Sequence, residues 1–215
     1  MQVQGARIVA SLPVLALLVV AGAGCTSTRS NARLTRGLSG GLAGFGVYMP
    51  PGRDDRHPTN PATPAIYEPS AEGFLQYAWK SPEGPGIALE LKVPVLFFCS
   101  SLDLYAQLHD DERWSHGGGL ELGLLPGAYY IVTRHAGPAY VSFTARLLAP
   151  LGGWQSQTGM VLTPQLAVGV LGRVDFFGFL TYARPLGFEA DIAVESETHR
   201  DFRSQWLLTG VGFRL

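Results

Sequence analysis

Residues 87–95 read Ile87-Ala88-Leu89-Glu90-Leu91-Lys92-Val93-Pro94-Val95, and their alternation decides the fold. Ile87, Leu89, Leu91, Val93 and Val95 fall on one side of an extended chain, with Ala88, Glu90 and Lys92 on the other. Wound as a helix, the same residues would put apolar groups all round the axis, so the segment is a strand. The period of two recurs. Leu102, Leu104, Ala106 and Leu108 alternate with Asp103, Tyr105 and Gln107, and Val141, Phe143, Ala145 and Leu147 alternate with Tyr140, Ser142, Thr144 and Arg146. Phe188, Ala190, Ile192 and Val194 alternate with Glu189, Asp191 and Glu195, and Leu207, Val211, Phe213 and Leu215 with Leu208, Gly210, Gly212 and Arg214.

Shorter candidates lie at Leu42–Met49, Phe74–Trp79, Leu120–Leu125, Tyr129–Arg134, Met160–Leu171 and Val174–Ala183. Turn residues separate many of them: Ser81–Gly86, Pro126-Gly127, Gly137-Pro138, Gly172-Arg173 and Pro185–Gly187. A proline-rich polar stretch at 50–70 reads as a long loop. No stretch after residue 30 carries a stripe of period 3.6, and no internal repeat is seen. Eleven two-faced strands have two solutions: a soluble sandwich or closed barrel with apolar faces inward, or a transmembrane barrel with apolar faces toward lipid. Strand lengths near the ~9–11 residues of a tilted span favour the membrane. Trp79, Trp114, Trp154 and Trp206 at strand ends or in loops, where an interfacial girdle forms, favour it too. Bacterial single-chain barrels have even strand counts. The reading is therefore an all-β, antiparallel, up-and-down transmembrane β-barrel of about ten strands, within eight to twelve. The count comes down to ten by merging Ile87–His109 through a bulge near Cys99, or by running Leu120–Arg134 without a break.

Composition agrees with this reading. Of 215 residues 27 are glycine, above the usual ~7 %. Charged residues make up 15 %, against a typical ~25 %, as suits a surface turned to lipid. The near-neutral charge of −1 gives no basic field for nucleic acid. No cofactor or metal motif is present, and two cysteines, Cys25 and Cys99, imply no disulfide framework.

The start of the chain gives an address. Arg7 precedes an uncharged run, Ile8–Val20, and the small residues Ala21-Gly22-Ala23-Gly24 lead directly to Cys25. This is the layout of a secretory signal peptide, and with Cys first after the cut it resembles that of bacterial lipoproteins. Gly22 departs from the bulky apolar residue usual in that family. The resemblance implies acylation of Cys25, cleavage before it, and the lipoprotein-processing enzymes as partners. Thr26 stands where enteric lipoproteins held at the inner membrane carry Asp, so the implied destination is the outer membrane. Residues 1–24 are thus expected to be the signal peptide, 25–37 a flexible basic tether, and 38–215 the barrel domain. The ending Gly210, Phe213, Leu215 is similar to the terminal signature of outer-membrane barrels, which implies the barrel-insertion machinery as a further partner.

Candidate chemistry is sparse. His109–His116, with three carboxylates and two histidines, reads as a solvated acidic loop, and Arg53–His57 as a mixed-charge loop. His135 and Ser142 flank the Gly137-Pro138 turn and could meet across a hairpin, but no nucleophile elbow accompanies them. The inward polar set is more informative: Glu90, Lys92, Asp103, Gln107, Glu121, Arg146, Gln165, Asp175, Glu189, Asp191 and Glu195. In a lumen this narrow they pair into a plug of salt bridges, or line a pore that favours cations. Antiparallel pairing about the loop Thr198–Ser204 would bring Arg214 to Glu189 or Asp191 over Gly210 and Gly212. The function expected is that of a lipid-anchored outer-membrane barrel with a non-catalytic structural, adhesive or narrow-pore role. The alternatives are a periplasmic lipocalin-like or β-sandwich binding module, and a lipid-modifying barrel enzyme.

Overall fold

A computed structural model describes residues 29–51, 65–80, 85–94, 100–123, 126–149, 160–186 and 206–215. Its described residues hold eleven strands and no helix: β1 (Gly37–Met49), β2 (Ile66–Lys80), β3 (Gly86–Pro94), β4 (Ser101–Asp110), β5 (Trp114–Leu122), β6 (Gly127–Ala136), β7 (Ala139–Leu148), β8 (Met160–Leu162), β9 (Gln165–Val170), β10 (Asp175–Leu186) and β11 (Trp206–Arg214). Apart from β8 and β9, each pairs antiparallel with its chain neighbours, and β11 returns to β1, with Gly41 opposite Arg214 and Tyr48 opposite Leu207. The sheet is a closed up-and-down barrel. β8 and β9 both lie between β7 and β10, on either side of Thr163-Pro164, so they form one stave and the barrel has ten. Pro164 lacks the N–H that a continuous ladder needs, which accounts for the break.

The count of ten arises differently from the sequence expectation. β3 and β4 are separate strands, as are β5 and β6. The one bulge among them falls between Gln107 and His109, and Cys99 lies outside the described residues. The eleventh candidate, 188–194, also lies outside them, and β10 bonds directly to β11, leaving no place for a stave between the two. Residues 66–70 are not loop but the start of β2, paired with β1 as far as Met49 opposite Ile66. Nor is His109–His116 a free loop: β4 runs to Asp110, β5 starts at Trp114, and only 111–113 turn.

The two rims differ. At one rim the connections are 81–85, 111–113, 137–138 and 171–174. At the other they are 50–65, 95–100, 123–126, 149–159 and 187–205. Gly137 takes a φ of 61°, which the first central position of a two-residue type II′ hairpin requires.

Alternation sorts the faces. On β7 every second residue is buried, from Tyr140 to Leu148, and the residues between are exposed. Outside stand Leu75, Leu89, Leu91, Leu104, Phe143, Val168, Leu180 and Val211, each more than a third exposed. Inside stand Glu72, Glu90, Lys92, Asp103, Glu121 and Arg146, none more than 1 % exposed. A soluble barrel has the opposite polarity.

A second departure is at the amino end. The tether expected over 25–37 is not free where it is described: Arg29, Ser30, Asn31, Ala32 and Leu34 are buried inside the barrel. Gly37, with φ of 101°, is the point at which the chain leaves the lumen and enters the wall. A side chain there would be strained, and glycine is not.

Candidate functional site in the barrel lumen

The charged interior is built by β2 to β7, with Arg214 of β11 and Arg29 of the amino-terminal segment reaching into it. Lys92 Nζ lies 3.0 Å from Asp103 Oδ2, and Arg146 Nε 3.5 Å from Glu121 Oε2. Glu90 takes two cations, Arg214 at 2.9 Å and Arg29 at 3.6 Å. Arg214 also donates to Gln76 Oε1 at 2.8 Å and lies over the Phe74 ring at 4.9 Å. Strand parity fixes these meetings, because neighbouring strands in register turn opposite residues to the same face. Glu90 stands opposite Asp103, and Asp103 opposite Glu121, so three acids cross the wall in a row. Burying such a row is costly unless cations are interposed. Lys92, Arg146 and Arg29 supply them.

The amino-terminal segment is held from three sides. The Tyr105 hydroxyl donates to the Ala32 carbonyl at 2.8 Å, and Gln107 Nε2 donates to the same oxygen at 3.3 Å. The Ala32 N–H donates to Thr133 Oγ1 at 2.9 Å. At the rim with the shorter turns, Arg33 pairs with Asp110 at 2.9 Å, and Lys80 contacts the same carboxylate. Deeper in, the Arg29 guanidinium sits 4.1 Å over the Tyr105 ring, and its Nε donates to the Tyr129 hydroxyl at 3.2 Å. That hydroxyl donates to Asp103 Oδ2 at 3.0 Å. The Tyr105 and Tyr129 rings are parallel within 2°, with centroids 6.2 Å apart. Gly119 stands opposite both tyrosines, and a Cβ there would come within 2.5 Å of the Tyr129 ring. The slot exists because that position is glycine.

The remaining expected residues fall as follows. Gln107 faces the lumen and holds the segment, while Asp175 is half-buried at the rim, where its Oδ1 accepts from Gly172 N–H at 2.9 Å. Cys25, Glu189, Asp191, Glu195 and Trp154 lie outside the described residues. Among the described residues the partner of Arg214 is Glu90, and the expected partners Glu189 and Asp191 lie outside them. The space over the glycines is taken by rings: Gly210 stands opposite Phe45 and Phe179, and Gly212 opposite Phe177. A ring fills that gap without the desolvation cost that a carboxylate carries. His135 and Ser142 do not meet. His135 stands opposite Tyr140 and Ser142 opposite Thr133, so His135 Nε2 bonds Ser115 Oγ at 2.9 Å and Ser142 bonds Thr133 at 2.7 Å. Trp206 is buried in the interior rather than placed in a girdle, whereas Trp79 and Trp114 are exposed. Among the described residues no group of three or more His, Cys, Asp or Glu is placed to hold a metal.

Arg29, Glu72, Gln76, Tyr105 and Tyr129 were not in the expected set. Glu72 and Gln76 share the inward parity of Phe74, and a strand that began before Phe74 would have shown it.

No protein-family model matches this chain, and no curated protein matches it. Among solved structures the chain is similar to the NanC porin in its rhombohedral crystal form, at 11 % identity over 81 % of this chain and 100 % of that one, with a TM-score of 0.44.

Proposed function

We propose that this chain is a lipid-anchored outer-membrane β-barrel, non-catalytic, closed at rest by its own amino-terminal segment. The observation that carries the reading is polarity: aliphatic side chains cover the outside, and paired charges fill the inside. In water such an exterior would aggregate, and in lipid it is the required surface. Nine-residue strands of about 30 Å, tilted by about 40°, give roughly the 25 Å apolar band of such barrels. At the rim with the shorter turns Tyr77 and Trp79 pack edge to face at 4.6 Å, and Arg134 lies 5.6 Å over Trp114, as an interfacial belt would have it. Short turns belong to the periplasmic side of such barrels, which orients the amino-terminal segment to enter from the periplasm.

Acylation of Cys25 is part of this proposal. Cys25 precedes Arg29 by four residues, at most about 14 Å of extended chain, so tension on the anchor is felt by the lumen segment. A lipocalin-like module would need an apolar cavity, and the charged half of this interior is unsuited to it.

Gel migration tests the reading. The folded protein should run at a different apparent mass before and after boiling, and should need detergent for extraction even as Cys25→Ala. Release of Cys25→Ala by salt or alkali would overturn the embedded barrel. Fatty-acid label retained in Cys25→Ala would overturn the anchor alone.

A further inference from the structure

The structure assigns a second role to the place where Arg29 sits: we propose that Tyr105, Tyr129, Glu90 and Asp103 form a binding site for guanidinium and primary ammonium solutes, occupied at rest by Arg29. The proposal rests on the barrel reading above. All four side chains belong to strands β3, β4 and β6, so the site is part of the wall and does not depend on the segment that fills it. It offers a ring face, a phenol oxygen and two carboxylates, the set that recognises a planar cation. The resident Arg29 uses it incompletely. Nη1 and Nη2 are buried without hydrogen-bond partners among the described residues, and so is Asp103 Oδ1. A ligand free to turn can satisfy groups that a tethered Arg29 leaves unmet.

Charge balance points the same way. Among the described interior residues Glu72, Glu90, Asp103 and Glu121 face Arg29, Lys92, Arg146 and Arg214, four acids and four bases, none more than 11 % exposed. Three of the bases are on strands, and the fourth is carried in by the segment. When the segment leaves, Glu90 keeps Arg214 and Asp103 keeps Lys92, but the place between the Tyr105 ring, the Tyr129 hydroxyl and the Glu90 carboxylate loses its cation, and a second planar cation regains those contacts. Among the described residues the backbone at Ala32 is held by side-chain hydrogen bonds and by no strand ladder, so the segment can withdraw while the barrel stays closed.

The test uses the full-length protein in detergent micelles, with methylguanidinium as probe and acetate as control. Arg29→Ala and Arg29→Gln should bind methylguanidinium at least tenfold more tightly than the wild type, by calorimetry, and acetate should not bind. Adding Tyr105→Leu to Arg29→Ala should abolish the gain. If an Arg29 variant refolds only when methylguanidinium is supplied, that rescue supports the site. Failure to refold with or without it overturns the proposal. So does equal binding by wild type and variants, or no binding by variants that still show heat-modifiable migration. Loss of heat-modifiable migration in the wild type would instead overturn the barrel reading on which the proposal rests.

Discussion

The interior of this barrel is filled in two ways. Across β2 to β7 it is filled by ions: Lys92 with Asp103, Arg146 with Glu121, Glu90 between two arginines. Across β1, β10 and β11 it is filled by rings and aliphatic groups: Phe45, Val47, Phe177, Phe179, Trp206 and Leu208. There Phe45 and Phe179 lie 6.3 Å apart, both opposite Gly210. The ring side is satisfied by volume, and strands of the wall supply all the buried side chains of that cluster, Phe74, Tyr140 and Leu148 included. The ion side must be satisfied by charge pairing as well, and one of its cations, Arg29, is brought in on a separate segment.

The largest effect should come from breaking one member of the ion side. Asp103→Leu removes the carboxylate that Lys92 Nζ meets at 3.0 Å inside the barrel and that accepts from the Tyr129 hydroxyl, with an expected cost of about 3–5 kcal/mol. Lys92→Met added to it should recover a large part of that loss, so the pair is strongly non-additive in urea titrations of the barrel in vesicles. Additivity would mean that the two sides of the lumen are not different in kind.

The outer wall supplies the control. Leu91→Arg, behind the ion side, and Val211→Arg, behind the ring side, should each cost about 2–4 kcal/mol near the midplane, because both meet the same lipid. Unequal penalties in the same titration would show that the asymmetry reaches the outer surface.

Overpacking tests the ring side. A Cβ at Gly210 would come within 2.6 Å of Phe45 Cβ and 2.7 Å of the Phe179 ring. Gly210→Val should therefore cost about 1–3 kcal/mol, and Phe179→Leu in the same chain should relieve part of it. The smallest effect belongs to the rim. Asp111 in the 111–113 turn has its pKa lowered to about 2, by the His109 side chain first and then by the Trp114 and Arg113 N–H groups. A lowered folded value means that the stabilisation is present above the ordinary carboxylate pKa and is lost as pH falls toward 2. Unfolding midpoints of wild type and Asp111→Asn should differ slightly at pH 6 and converge near pH 2, with neither side of the lumen involved.

How much of this is legible in the sequence follows from what parity can encode. A period of two divides β3, β4 and β7 into an inner and an outer face, so Glu90, Lys92, Asp103 and Arg146 can be grouped without any knowledge of their neighbours. Register cannot be read that way. The meeting of Arg214 with Glu90 and Gln76 depends on which strands stand beside β11 and on how the barrel closes, and period alone carries neither. The candidate strand at Leu120–Leu125 leaves out Gly117–Gly119, yet that run lies inside β5, because the rings that cover it come from β4 and β6. The lumen segment was the least legible. It has no repeating face, since each of its groups meets a different strand, and its arginines look the same as those of a solvated tether.

Closure between β1 and β11 has a consequence for the order of events in folding. Gly41 pairs with Arg214, about 170 residues further along the chain, a contact of the kind that is slowest to form. Until it forms there is no lumen, only a curved sheet with two open edges. Arg29 to Leu34 directly precede β1, so they are made before every strand of the wall that will enclose them. The seam must therefore zip either around a segment already laid across the sheet or ahead of one that then enters through the finished mouth, and a seam variant that slows closure would separate the two routes in time.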